Sequence, residues 1–335
     1  MLLAIGAALV GLALLIWAAD LFVDGAVALA GALDVSPVVI GAVIVGFGTS
    51  VPELLVSGLA ATQDDRALGV GNIVGSNVAN LSLVLASAGL VTLIVAGAAT
   101  RRELPLSVIA TAGFALTVVD GEITRLEGVA LLVGLIVVLA IIIGTSRPAD
   151  PDLFGPTGEL KLASTSVPRE LSRTVGGLAL TALAAQLVVW GAGNVADELG
   201  LSGGFIGFSL VAIGTSLPEL VTAITAARRG ETELVVGNLL GSNIFNSLAV
   251  GSVIALAGPG PIGDDVLTGF GVGVMMVVTI AAAAFLYFGG VARVRSIILL
   301  GLWVLALVGL STSEGQSDDV AGAHAQASAS IISGP

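Results

Sequence analysis

The chain has 335 residues, of which 56% are hydrophobic and 11% charged, with a formal charge of −12 and a mean hydropathy of +1.07. Soluble domains carry roughly 25% charged residues, so this composition is that of a polytopic membrane protein, organised in apolar spans of about 20 residues. There is no cysteine and the one histidine, His324, lies in a polar tail; thiolate and imidazole metal centres are excluded, and any metal must be held by oxygen, which suits hard cations.

The N-terminus, Met-Leu-Leu-Ala-Ile, is apolar with no basic segment before it. It reads as a first span and not as a cleaved leader. Apolar runs bounded by charges or turn residues predict ten transmembrane helices, near 2–31, 37–61, 68–95, 104–119, 126–146, 173–197, 203–227, 234–258, 266–288 and 294–311. Ser36-Pro37 has the form of an N-cap followed by proline at the first helical position, and Ser202 stands at the corresponding place before the seventh span. The polar segment 147–172 carries Pro148, Pro151, Pro156 and Pro168. It is expected to be a cytoplasmic linker between a first half, 1–146, and a second half, 173–311. The Ser/Ala/Gly-rich tail 312–335 is expected to be disordered.

Charge gives the orientation. With the N-terminus outside, one side's loops collect Arg101, Arg102, Arg147, Lys161, Arg169, Arg173, Arg228, Arg229, Arg293 and Arg295, ten of the 12 basic residues. Only Arg66 and Arg125 fall on the other side, which holds Asp64, Asp65, Asp120, Glu122, Glu127, Asp197, Glu198, Asp264 and Asp265. By the positive-inside rule the basic side is cytoplasmic, and both termini face out of the plasma membrane.

The two halves repeat each other. Gly46-Phe-Gly-Thr-Ser-Val-Pro-Glu53 returns 166 residues later as Ala212-Ile-Gly-Thr-Ser-Leu-Pro-Glu219. At the same offset Gly71-Asn72 and Gly75-Ser76-Asn77 match Gly237-Asn238 and Gly241-Ser242-Asn243, and Asn80 matches Asn246. Five spans are an odd number, so the second half enters the membrane upside down. Inverted-topology repeats of this kind place a binding site near the midplane of secondary transporters.

The repeated motif carries the chemistry. A glutamate within an apolar span costs at least a few kcal/mol and is a functional candidate by default. Glu53 lies four residues after Thr49 and three after Ser50, so the three share one helix face. Pro52 has no N–H, so the carbonyl of Gly48 loses its helical partner. In the next span Asn72, Ser76 and Asn80 form a polar stripe, and the second half repeats the set with Thr215, Ser216, Pro218 and Glu219, then Asn238, Ser242 and Asn246. Carboxylate, hydroxyl, amide and backbone oxygens suit Ca²⁺, which takes about 6–8 such ligands in a flexible cage. Two glutamates balance one Ca²⁺ or two Na⁺, which is a basis for exchange by competition.

Gly-Thr-Ser-x-Pro-Glu followed by Gly-Asn-x-x-Gly-Ser-Asn, present twice, resembles the α-repeats of the cation/Ca²⁺ antiporter superfamily and specifically its prokaryotic Na⁺/Ca²⁺ exchangers. The resemblance implies a Ca²⁺ site made by Glu53 and Glu219 with backbone oxygens of Thr49 and Thr215. It implies flanking Na⁺ sites from Gly46, Ser50 and Ser76 on one side, Ala212, Ser216 and Ser242 on the other, and Asn80 and Asn246 in the middle. It also implies that the first and sixth spans slide as a pair against the other eight. Some relatives have aspartate at the position of Asn246, so this pocket carries two formal negative charges where theirs carries three. Serine stands at 76 and 242 where Ca²⁺/H⁺ antiporters usually carry a glutamate nearby, which favours Na⁺ as coupling ion.

Other polar positions have plainer readings. Asn72 and Asn238 are expected to tie helices together, and Gly71-x-x-x-Gly75 and Gly237-x-x-x-Gly241 to be close-packing faces. Asp20 and Asp24 lack acidic counterparts in the second half, where Gln186 and Trp190 stand, and are expected to make a polar contact near the cytoplasmic entrance. The composition implies a lipid bilayer as surroundings; no nucleic-acid partner, no cofactor beyond the transported Ca²⁺ and Na⁺, and a monomer are the further expectations. The alternatives are a Ca²⁺/H⁺ or other divalent-cation antiporter on the same fold, and a passive channel or intramembrane enzyme. A channel would more naturally use a ring of ligands from symmetric subunits.

Overall fold

The computed structural model describes residues 2–33, 37–97, 100–145, 166–198 and 216–309. Helices dominate: α1 (Leu2–Ala32), α2 (37–49), α3 (Val51–Thr62), α4 (Arg66–Val91), α5 (Thr100–Val118), α6 (Arg125–Gly144), α7 (Val167–Glu198), α8 (Leu217–Arg228), α9 (Thr232–Ala257), α10 (Leu267–Tyr287) and α11 (293–309). Among the described residues six helices are long and apolar enough to cross a membrane, and the bent pair α2–α3 makes a seventh. The expected linker falls mostly outside the described residues, as do the C-terminal tail and 199–215, with Ala212 and Thr215. Helix α7 begins at Val167, inside the stretch read as linker, because Pro168 sits in its first turn, where a missing N–H costs nothing.

Burial sorts the helices into layers. In α4 and α9, 78% and 83% of the apolar window is buried, against 28% in α1 and α6; the first two are the centre and the latter face outward. On α6 the outward face is Leu126, Val129, Val133, Ile136 and Val137, an apolar surface matched to lipid. Helix ends are closed locally. Asp65 accepts from the backbone N–H of Leu68 at the start of α4, and Thr124 and Glu127 form a reciprocal capping box at the start of α6.

Short antiparallel pairings join loops at the two ends of the bundle. Glu122–Ile123 (β1) pairs with Gly260–Pro261 (β2), and Ile94 bridges to Val291. Helices α1 and α7 run antiparallel in close contact. A Cβ added at Gly177 would lie 2.7 Å from the backbone N of Phe22, and one at Gly191 2.7 Å from that of Ala8. Lipid tails are as apolar as leucine, so such small-residue contacts, and not hydrophobic burial, hold membrane helices together. Leu15, Ala184 and Ala185 form a small cluster of this pair, separate from the main core and packed on Leu217 and Val221.

Candidate functional site

The site is built from breaks in helices. Between α2 and α3 the axis bends by 48° at Ser50, whose backbone leaves the helical region (φ −84°, ψ 2°) just before Pro52. Ser216 adopts almost the same conformation (φ −88°, ψ 4°) before Pro218 at the start of α8. Proline's missing N–H and the two loosened turns put Glu53 and Glu219 each in the first turn of a new helix. Each of α4 and α9 contains a π-helical turn, at Asn80–Val84 and Phe245–Val250. These place Asn80 and Asn246 where the helical ladder widens, a feature common at functional sites.

These elements converge. Glu53 and Glu219 are both fully buried, and the charge of Glu53 acts on Glu219, beside which the Thr49 hydroxyl lies. The Thr49 hydroxyl donates to the carbonyl of Val45 at 3.0 Å and stands 3.1 Å from the Ser242 hydroxyl and 3.3 Å from Asn238 Oδ1. Ser50 Oγ approaches the Ser242 carbonyl at 3.5 Å. Ser50, Ser76, Ser216, Ser242, Asn80 and Asn246 are all buried, at 3% exposure or less. Among the described residues, Ser76 Oγ, Ser216 Oγ, Asn80 Oδ1 and both amide atoms of Asn246 have no hydrogen-bond partner. Buried polar atoms are almost always satisfied, so these orphans, all on the segments that carry the doubled motif, are candidates to hold a polar or charged guest.

Close approach of α2 and α9 makes the convergence possible. A Cβ on Gly46 would lie 2.7 Å from the backbone N of Ser242, and one on Gly241 would drive into the carbonyl of Ala42. The second expected glycine face, Gly237 to Gly241, is therefore a backbone-to-backbone contact. At Gly71 in the first half a Cβ would meet, among the described residues, only Leu267, at an ordinary 3.6 Å.

Asn72 donates to Ser57 Oγ at 2.9 Å, tying α4 to α3. Asn238 Nδ2 lies 3.4 Å from Thr222 Oγ1, tying α9 to α8. Sequence reading missed Asn77, Asn243 and Ser247. Asn77 Nδ2 donates to Ser247 Oγ at 2.9 Å, and Asn80 Nδ2 to Asn243 Oδ1 at 3.0 Å. The recurrence of Asn77 and Asn243 in both motif copies was the available signal. Glu103, at the start of α5, is a further buried carboxylate, on which the charge of Glu233 acts.

Asp20 and Asp24 make the polar contact expected of them. Arg229, at the end of α8, pairs with Asp20 at 2.6 Å and with Asp24, and Arg173 of α7 reaches Asp24 at 3.1 Å. Partial burial alone would lower the pKa of Arg229, but hydrogen bonds and charge from the two aspartates outweigh it and hold the guanidinium above its ordinary value.

The model of the sodium/calcium exchanger protein family matches residues 3–144 and 172–312. The chain belongs to that family. The exchanger-family assignment agrees with the doubled motif and places the chain in the cation/Ca²⁺ antiporter superfamily as a multi-pass membrane protein. CaxA of Alkalimonas amylolytica is 42% identical over 277 residues, 82% of this chain and 86% of the relative. The sodium/calcium exchanger MaX1 of Methanosarcina acetivorans is 27% identical over 362 residues, 90% of this chain and 96% of the relative. Among solved structures, the sodium-calcium exchanger NCX_Mj soaked with zero Na⁺ and Ca²⁺ matches with a TM-score of 0.81 at 30% identity, covering 92% of this chain and 99% of that one.

Proposed function

We propose that this exchanger-family chain moves Ca²⁺ against Na⁺ by alternating access, through ten spans in two inverted repeats of five. The observation that carries the reading is the meeting of Glu53 and Glu219, fully buried and within each other's field, on segments whose Ser76, Ser216, Asn80 and Asn246 oxygens have no partner among the described residues. An empty pair of like charges is expensive in a low-dielectric interior. One Ca²⁺, or Na⁺ ions of equal total charge, offsets it. The protein is then free to reorient when loaded and resists reorienting when empty, which is the condition for exchange and against leak.

In this reading Glu53, Glu219 and the backbone oxygens of Thr49 and Thr215 hold Ca²⁺. Gly46, Ser50 and Ser76 serve Na⁺ on one side and Ala212, Ser216 and Ser242 on the other, with Asn80 and Asn246 between. The α1/α7 pair is the moving body, and the bend at Ser50 and the non-helical backbone of Ser216 are where its motion reaches the ligands. Leu178 of α7 lies against Gly48, a direct contact between that body and the site.

Loop contacts support the topology. β1 and β2 join two loops assigned to the acidic outer side, and Ile94 and Val291 join two assigned to the basic cytoplasmic side. Arg66 bonds the Gly258 carbonyl at 2.7 Å, again between outer loops. With this orientation in the plasma membrane, both termini lie outside and 147–172 is a cytoplasmic linker. The working unit is a monomer, since one chain supplies both glutamates.

The test is flux in proteoliposomes: reversing the Na⁺ gradient reverses ⁴⁵Ca²⁺ movement. Flux that ignores Na⁺ and follows a pH gradient would instead make the protein a Ca²⁺/H⁺ antiporter, and downhill flux without a counter-ion would make it a channel.

A further inference from the structure

We propose that Asn243 is a positioning residue that fixes which end of the Asn80 amide faces the cation site, a proposal that rests on the exchanger reading above for the identity of the guest. The geometry is a relay. Asn243 Nδ2 lies 3.2 Å from the backbone carbonyl of Asn77. A carbonyl oxygen can only accept, so the nitrogen end of the Asn243 amide must point at it. The other end of Asn243 is then necessarily its oxygen, which can also only accept.

That oxygen lies 3.0 Å from the Asn80 amide, so the Asn80 atom facing it must be Nδ2. Asn80 Oδ1 is thereby turned the other way, and it is buried with no hydrogen-bond partner among the described residues. An amide can coordinate a cation only through its oxygen. The backbone carbonyl of Asn77 thus decides, through two side chains, that Asn80 offers an acceptor and not a donor. All three residues are fully buried, so no water is at hand to compensate a turned amide.

The second half lacks this wiring. The 166-residue offset makes Asn77 the counterpart of Asn243 and Asn246 that of Asn80. The Asn77 amide nitrogen instead goes to Ser247 Oγ at 2.9 Å and approaches Met275 Sδ at 3.7 Å. Neither amide atom of Asn246 has a partner among the described residues. Asn80 is a pre-set ligand and Asn246 an adjustable one, which gives a pseudo-symmetric pocket a fixed side and a yielding side.

The experiment is a double-mutant cycle between positions 80 and 243, read by isothermal Ca²⁺ binding and by melting of the cation-free protein. Asn243→Ala is expected to weaken Ca²⁺ binding about tenfold, the worth of one well-made hydrogen bond to an ordering partner. In the Asn80→Asp background, where both carboxylate oxygens are alike and need no orienting, the same change is expected to cost less than about twofold. Equal losses in both backgrounds, or none in either, would overturn the proposal. In the cation-free protein, Asn80→Asp sets a carboxylate oxygen against Asn243 Oδ1, and Asn243→Ala should recover most of the resulting loss in Tm. Additive Tm shifts would also overturn the relay, whatever the pocket binds. Wild-type protein that bound neither Ca²⁺ nor Na⁺ would sink the exchanger reading, while the melting cycle still decides the relay.

Discussion

Thr49 and Ser242 stand 193 positions apart in the chain with their hydroxyl oxygens 3.1 Å apart. That contact exists because Gly46 and Gly241 let α2 and α9 meet backbone to backbone. Gly241→Ala or Gly46→Ala is expected to push the helices apart. The cost should be at least the roughly 1–3 kcal/mol of core overpacking, with loss of cation binding. Gly71→Ala, whose Cβ would meet Leu267 at 3.6 Å, should be close to neutral. Thermal melts in detergent with ⁴⁵Ca²⁺ uptake on the same preparations check both.

Neutralising either central carboxylate should be severe. Removing one member of a buried charge-compensated set costs about 3–5 kcal/mol. Glu53→Gln and Glu219→Gln are each expected to reduce Ca²⁺ exchange on the order of 100-fold or more. Initial rates of Na⁺-driven uptake measure it, and retained exchange in both variants would remove these residues from the site.

Arg229 holds Asp20 and Asp24 of α1 from the end of α8, bridging the proposed moving pair to the rest of the bundle on the basic side. These groups are partly exposed, so each pair contributes about 0.2–1 kcal/mol. Arg229→Gln should therefore raise the cytoplasm-open population by roughly 2–10-fold. The chain has no cysteine, so Leu178→Cys supplies a single probe beside Gly48. Its labelling by a membrane-impermeant thiol reagent from the cytoplasmic side should speed up by that factor, and high salt should narrow the gap.

In the proposed pocket Asn246 leaves two formal charges where an aspartate would give three. Asn246→Asp should steepen the Na⁺ dependence of exchange by about one ion, because charge balance sets the load that can cross the low-dielectric interior. The Hill slope of Na⁺-driven ⁴⁵Ca²⁺ release reads this directly.

Much of the site was legible in the chain because its signals are local or repeated. Pro52 and Pro218 announce broken helices through a missing N–H. Glutamates in apolar runs announce function through the cost of burying charge, and a fixed offset announces two halves. The roles of Asn77 and Asn243 were not legible, since an asparagine in an apolar helix is equally a ligand, a tie or an orienter until its partners are known. The π-turns at Asn80 and Phe245 were equally hidden, because a widened turn is decided by what packs against it. The partners of Asp20 and Asp24 lie up to 209 positions away, beyond any local pattern.

The linear order of residues alone determined that this is a helical membrane protein with a doubled acidic motif, because hydrophobicity, proline and charge act within a turn or two of where they stand. The tertiary structure decided which atoms face one another across the two halves. Hydrogen-bond direction, amide orientation and backbone contact at Gly46 and Gly241 depend on distances between residues the chain holds far apart, and only packing sets those distances.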